Sequence, residues 1–179
     1  MKTFIFGTLV EHKPGVLQKV SNMFRQRNFN IESITVGPTE REDVARMTIT
    51  MKGEEEDAVQ LEKQLRKLID VLEVKLLDPS ETVVRELALV KVRADDWRAR
   101  SDLVNWANIF RSRIVDVSPE AIMIEITGAP SKIDAFLELM KRFELLEISR
   151  TGITAMERGL KRIGLKYKSG AAHGEDILR

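Results

Sequence analysis

The segment Leu9-Val10-Glu11-His12-Lys13-Pro14-Gly15-Val16-Leu17 runs from an apolar stretch through a short loop into a helical stripe. That order has a definite chemistry. Proline is tolerated in the first turn of a helix, where its missing N–H costs nothing. The first amides of a helix lack an intrahelical partner, and the macrodipole makes that end electropositive. The amides of Gly15, Val16 and Leu17 can therefore meet an anion, and the glycine lets a ligand approach the backbone closely. A plain helix start accounts for the same residues. A second polar position, Asn30, sits where a helical pattern hands over to the strand-like run Ile31 to Val36. Its amide can both donate and accept, which suits a small polar ligand, and an ordinary turn would use it equally well.

Other chemistry is scarce. The chain has no cysteine and only two histidines, His12 and His173, which excludes disulfides, thiolate sites and a multi-histidine metal site. No glycine-rich phosphate loop, nucleophile with a base, or paired carboxylates stand out. The acidic run Glu54 to Asp57 reads as a solvated helix start rather than a cation site. Arg158, Lys161, Arg162, Lys166 and Lys168 lack aromatic interleaving apart from Tyr167, so they read as a solvated tail rather than a nucleic-acid surface. Trp106 lies on a helical stripe and reads as core, whereas Trp97 is isolated.

Composition bounds the rest. The chain has 179 residues, 43% of them hydrophobic, enough for one domain or two small ones with real cores. Its net charge of +1 gives no global pull toward nucleic acid or anionic lipid. Charged residues reach 32%, a composition compatible with a heat-adapted source. No apolar run is long enough to span a bilayer, and the start lacks a signal-peptide cleavage pattern, so a cytoplasmic protein is expected.

The elements that position these residues repeat once. Phe4 to Val10 is apolar in both alternating sets, as an inner strand would be. Val16, Leu17, Val20, Met23 and Phe24 stripe a helix, and Ile31 to Val36 is a strand. Met47, Ile49 and Met51 alternate with Thr48 and Thr50 in a half-buried strand. Ala58, Leu61, Leu65, Leu68 and Ile69 stripe a second helix, and Val71 to Leu77 closes the unit. After Asp78-Pro79-Ser80 the order returns: strand Arg85 to Val92, helix stripe Leu103, Trp106, Ile109 and Phe110, and strand Ile114 to Val117. Strand Ile122 to Ile126, helix stripe Ile133, Phe136, Leu137 and Met140, and strand Leu145 to Ser149 complete it. The expected fold class is α+β, two ferredoxin-like βαββαβ domains. The expected boundaries are 1–78 and 79–156, with a basic, mobile tail over 157–179.

EHKPGVLQKVSNMF and FNIESITVGPTE resemble the regulatory, or small, subunit family of acetolactate synthase (acetohydroxyacid synthase), whose N-terminal ACT domain senses amino acids. The likeness continues through RMTITMKG, QLEKQLRKLIDVLEV, NIFRSRIVDVS, EITGAPSKIDAF and ISRTGITAMERG, covering about Met1 to Gly159. It implies a noncatalytic chain that activates a large subunit carrying thiamine diphosphate, Mg²⁺ and FAD, with no cofactor of its own. It also implies feedback inhibition by a branched-chain amino acid, usually valine, held between the ACT domains of a homodimer. On that resemblance His12, Pro14, Gly15, Val16 and Leu17 would come from one copy, with the loop amides holding the carboxylate, and Asn30 and Ile31 from the other. His12 stands where many family members have Asn, and imidazole is bulkier and can charge near neutral pH. The second domain would serve assembly and full activation, and Arg111 and Arg113 within it read as a solvated pair. The competing reading is a free-standing ACT-type regulator of another enzyme or of transcription. A transcription regulator would need a helix-turn-helix or basic face, which the sequence does not show.

Overall fold

A computed structural model describes residues 2–165, so His173, Lys166, Tyr167 and Lys168 lie outside the described part, as does most of the expected tail. The fold is α+β and consists of two βαββαβ units. The first contains β1 (Lys2–Glu11), α1 (Val16–Gln26), β2 (Ser33–Pro38), β3 (Val44–Gly53), α2 (Glu55–Leu65) and β4 (Val71–Leu77). Its antiparallel sheet has the order β2-β3-β1-β4. A single 3₁₀ turn, Pro79–Glu81, then leads into the second unit. This contains β5 (Thr82–Arg93), α3 (Trp97–Ile109), β6 (Arg113–Val117), β7 (Ala121–Gly128), α4 (Pro130–Met140) and β8 (Leu145–Arg150), with sheet order β6-β7-β5-β8.

In each unit the helices cover one face of the sheet. Phe6, Val10, Met47, Ile49 and Met51 meet Val16, Val20, Phe24, Leu61 and Leu65 in the first core. Val90, Val92, Ile122, Ile124 and Ile126 meet Leu103, Ile133, Phe136 and Met140 in the second. Phe110 and Phe136 stack edge-to-face there, with ring centroids 5.2 Å apart.

The other face of the first sheet is covered in part by residues 153–165. After β8 a short strand β9 (Thr154–Glu157) pairs with Thr82–Arg85 at the start of β5. Ala155 and Ile163 are buried with Ile5, Leu9, Val44 and Leu77 in a third core. Thr35 Oγ1 donates to the Ile153 carbonyl at 2.8 Å, and Arg46 Nη2 to the Ala155 carbonyl at 2.8 Å. Lys75 Nζ lies 2.7 Å from Glu157 Oε1. Within residues 157–165 of the expected tail, positions 158–162 and 164 are exposed, Leu160 fully, whereas Ile163 is packed against the sheet at 8% exposure. The apolar side chains supply the reason, since Ile153, Ile163 and Leu165 cover surface that β1 and β4 would otherwise leave in water.

This return segment also explains why β1 is apolar in both alternating sets: Phe6 and Val10 face the helices, while Ile5 and Leu9 face the strap. β3 differs from the half-buried strand expected. Thr48 and Thr50 are buried as well, and Ser33 Oγ lies 2.7 Å from Thr50 Oγ1. Three stripe assignments also fail, Leu17 in the first turn of α1 being 45% exposed. α2 ends at Leu65, which turns Ile69 out to 79% exposure, and Ile109 at the last turn of α3 is exposed.

Candidate functional site

β1 ends at Glu11 and α1 begins at Val16, leaving His12 to Gly15 as the connecting loop. Gly15 is the N-cap residue and has φ +87°, a left-handed conformation that L-residues other than glycine adopt at a cost. Pro14 thus sits just ahead of the cap rather than inside the first turn. A Cβ built on Gly15 would meet nothing within 4 Å, so the backbone here faces open space. No side chain caps the helix, and its first bond runs from the Lys19 amide to the Gly15 carbonyl at 3.1 Å. The amides of Gly15, Val16 and Leu17 therefore have no intrahelical acceptor. Val16 anchors the helix start in the core, and Leu17 remains 45% exposed beside it.

The loop is held firmly from behind. The Glu11 amide donates to the Asp70 carbonyl at 2.9 Å, and the His12 amide to the Asp43 carbonyl at 2.8 Å. His12 is exposed, with Nδ1 3.3 Å from the Glu42 carbonyl. Lys13 Nζ lies 2.7 Å from Asp70 Oδ1 and also against the Glu11 carboxylate. Lys19 Nζ donates to Asp70 Oδ2 at 2.5 Å. The Asp70 side chain is 3% exposed. Lys13 and then Lys19 hold its pKa below the ordinary aspartate value, and Asp70 followed by Glu11 raises that of Lys13.

The other half of the predicted site follows α1. Arg27 caps the helix, Asn28 takes φ +58°, and the Phe29 amide donates back to the Phe24 carbonyl at 3.0 Å, a left-handed stop that turns the chain toward β2. Asn30 and Glu32 are exposed, and the Asn30 amide nitrogen lies 3.3 Å from Glu32 Oε1. Ile31 is partly buried against the first core, and β2 begins only at Ser33. Within one chain, His12 to Leu17 and Asn30 to Ile31 lie at opposite ends of the 11-residue α1. At 1.5 Å rise per residue those ends are about 16 Å apart. A single copy therefore does not bring the two halves together.

A cavity of about 600 Å³ lies elsewhere, around the α2–β4 turn, with Arg66, Leu68, Ile69, Val71 and Leu72 in its wall. Glu11 at the end of β1 and Asp43, whose carbonyl receives the His12 amide, border it on the side of the β1–α1 loop. Among the described residues no three His, Asp or Glu side chains cluster as a metal site would, and no helix is long and apolar enough to cross a membrane. No local pattern of residues marks Asp70. It lies 51 positions from Lys19, and only the β1–β4 pairing brings it beneath the loop.

Comparison with known proteins divides the chain along the same lines. Residues 6–73 match the acetohydroxyacid synthase (AHAS) small-subunit-like ACT domain, and residues 85–159 match the family described as the small subunit of acetolactate synthase. A probable acetolactate synthase small subunit from Methanothermobacter thermautotrophicus is 55% identical over 157 residues, 88% of this chain and 94% of that one. The acetolactate synthase small subunit of Mycolicibacterium smegmatis is 43% identical over 162 residues, 90% of this chain and 95% of that one. The crystal structure of the acetolactate synthase small subunit from Thermotoga maritima superposes with a TM-score of 0.83 at 44% identity, covering 89% of this chain and 99% of that one. With two βαββαβ units, an ACT domain first and relatives matched along nearly their whole length, this chain belongs to the acetolactate synthase small-subunit family.

Proposed function

We propose that this chain is the noncatalytic regulatory subunit of a cytoplasmic acetolactate synthase. It activates a large subunit that carries thiamine diphosphate, Mg²⁺ and FAD, and it confers feedback inhibition by a branched-chain amino acid, valine first among them. The effector lies between the ACT domains of a homodimer. The amides of Gly15, Val16 and Leu17 in one copy take its carboxylate, with His12 and Pro14 shaping the loop. Asn30 of the other copy meets the polar end, and Ile31 offers apolar surface to the branched side chain.

One observation supports this most directly. The two halves of the site sit at opposite ends of α1, so a site using both needs two copies. Among the described residues the edge strand β2 pairs with β3 alone, which leaves its other side available for such a partner. Effector binding then favours one geometry of the pair. An attached catalytic subunit reads that as lower activity, with a coupling of about 1–3 kcal/mol, or roughly 5- to 150-fold in affinity.

The test mixes the purified chain with its cognate large subunit and measures acetolactate formation with and without valine, leucine or isoleucine. The expected result is faster formation on mixing, reversed by at least one of the three. No stimulation, or stimulation insensitive to all three, overturns the reading.

A further inference from the structure

Asp70 is a carboxylate buried at the turn before β4, outside the proposed ligand contacts, yet it is tied to both sides of the ligand loop. Its backbone carbonyl receives the Glu11 amide at 2.9 Å, fixing the end of β1. Its Oδ2 receives Lys19 Nζ at 2.5 Å, which fixes the first turn of α1. Its Oδ1 faces Lys13 Nζ at 2.7 Å, a close ion pair without the alignment of a good hydrogen bond. The residues between these ties, His12 to Gly15, include a left-handed glycine with no contact on its open side.

Resting on the site assigned above, we infer that Asp70 is a positioning residue for effector binding: it clamps the strand end to the helix start so that the loop amides converge on one carboxylate. A flexible loop would have to be ordered by the ligand, and affinity would fall by the cost of ordering. The buried charge suits this role. An aspartate removed from water is satisfied only by partners brought to it, and here one, Lys13, lies in the loop and the other, Lys19, in the first turn of the helix that follows.

The rival arrangement is electrostatic. Lys13 and Lys19 carry two positive charges near the helix start, and Asp70 with Glu11 offsets them. If charge governed the site, removing Asp70 would free two ammonium groups and tighten binding of a carboxylate. Positioning predicts the opposite, so the sign of the change separates the two.

The experiment uses the full chain and L-valine as the probe, with leucine and isoleucine in parallel. Calorimetry is run on the wild type, Asp70→Asn, Asp70→Glu and Gly15→Asp. Amide hydrogen exchange of His12, Lys13 and Lys19 is followed without ligand. Asp70→Asn should weaken binding on the order of 10-fold, the lower end of what supporting residues behind a ligand shell contribute. The same variant should speed exchange at those three amides while exchange in the β3 core stays as in the wild type. Asp70→Glu, which keeps the charge, should recover most of the affinity. An unchanged or tighter dissociation constant in Asp70→Asn, with Gly15→Asp still abolishing binding, overturns the positioning role alone. If Gly15→Asp binds as the wild type does, or if the wild type takes up no amino acid, the site assignment falls instead.

Discussion

Replacing Gly15 with Asp and, separately, with Asn isolates the charge at the proposed anion site. Gly15 has φ +87° and a Cβ there would touch nothing within 4 Å, so neither variant suffers a clash. The left-handed conformation costs an L-residue roughly 1–2 kcal/mol, and Asn and Asp accept it better than most. For a chain of this size that lowers Tm by about 2–4 °C per kcal/mol, well within a stability of about 5–15 kcal/mol, so both variants should be folded at 25 °C. They differ essentially by one negative charge beside the amides of Val16 and Leu17. A hydrogen bond to a charged group contributes about 1.5–3 kcal/mol, so losing two such bonds costs about 3–6 kcal/mol. At 1.4 kcal/mol per decade this is roughly a 10²- to 10⁴-fold rise in Kd. Calorimetry with valine, leucine and isoleucine should find no binding to Gly15→Asp and measurable, weakened binding to Gly15→Asn. Equal affinities in the two variants would show that no carboxylate is held at this helix start.

Three further outcomes follow from contacts away from the loop amides. Lys13 and Lys19 lower the pKa of Asp70 below its ordinary 3.8, so the stability it contributes is complete above that value and is lost as pH falls through the lower folded-state pKa. The Tm difference between wild type and Asp70→Asn should accordingly be constant near neutrality and shrink below about pH 4, and a difference that grows in acid would contradict the ion pairs. Arg150 grips Glu86 with two bonds, 2.7 and 2.6 Å, and Asp134 with a third, while the Glu86 side chain is 6% exposed. Replacing Arg150 with Met strands that carboxylate, and chemical denaturation should show a loss of about 2–3 kcal/mol, discounted for the partly exposed arginine. Ile163→Ala removes the side chain that seals the strap over Ile5 and Leu77, and the same measurement should show about 2–3 kcal/mol, near the low end for a buried Ile→Ala because the site borders solvent.

Much of the fold was legible because periodicity reports which face is buried. Phe4 to Val10 carried the double apolarity and Ile122 to Ile126 the two-residue alternation that their positions in the sheets require, whereas the threonines of Met47 to Met51 concealed that β3 is buried on both faces. What periodicity could not register was where a stripe stops. Ile69 and Ile109 have helical spacing, yet each lies where its helix ends and the chain turns away, so tertiary placement overrides the pattern. β9 has only four residues, and its buried partners belong to the first unit, more than a hundred positions away for Thr35 and Ile153. Within the candidate site, Pro14 to Leu17 stood out because strand, glycine and helix follow one another locally. Asp70 did not, since its role exists only once β4 is paired with β1.

The return of the chain onto the first sheet has a mechanical consequence. Two bodies joined by one short connector, here residues 78–81, can pivot about it in three independent directions. The hydrogen bonds from Thr35 and Arg46 to Ile153 and Ala155 add a second point of attachment. The Lys75–Glu157 ion pair and the Ile163 side chain carry that attachment across to β1 and β4. A load on the ACT sheet therefore reaches the neighbouring domain through a spread seam of contacts as well as through the short connector.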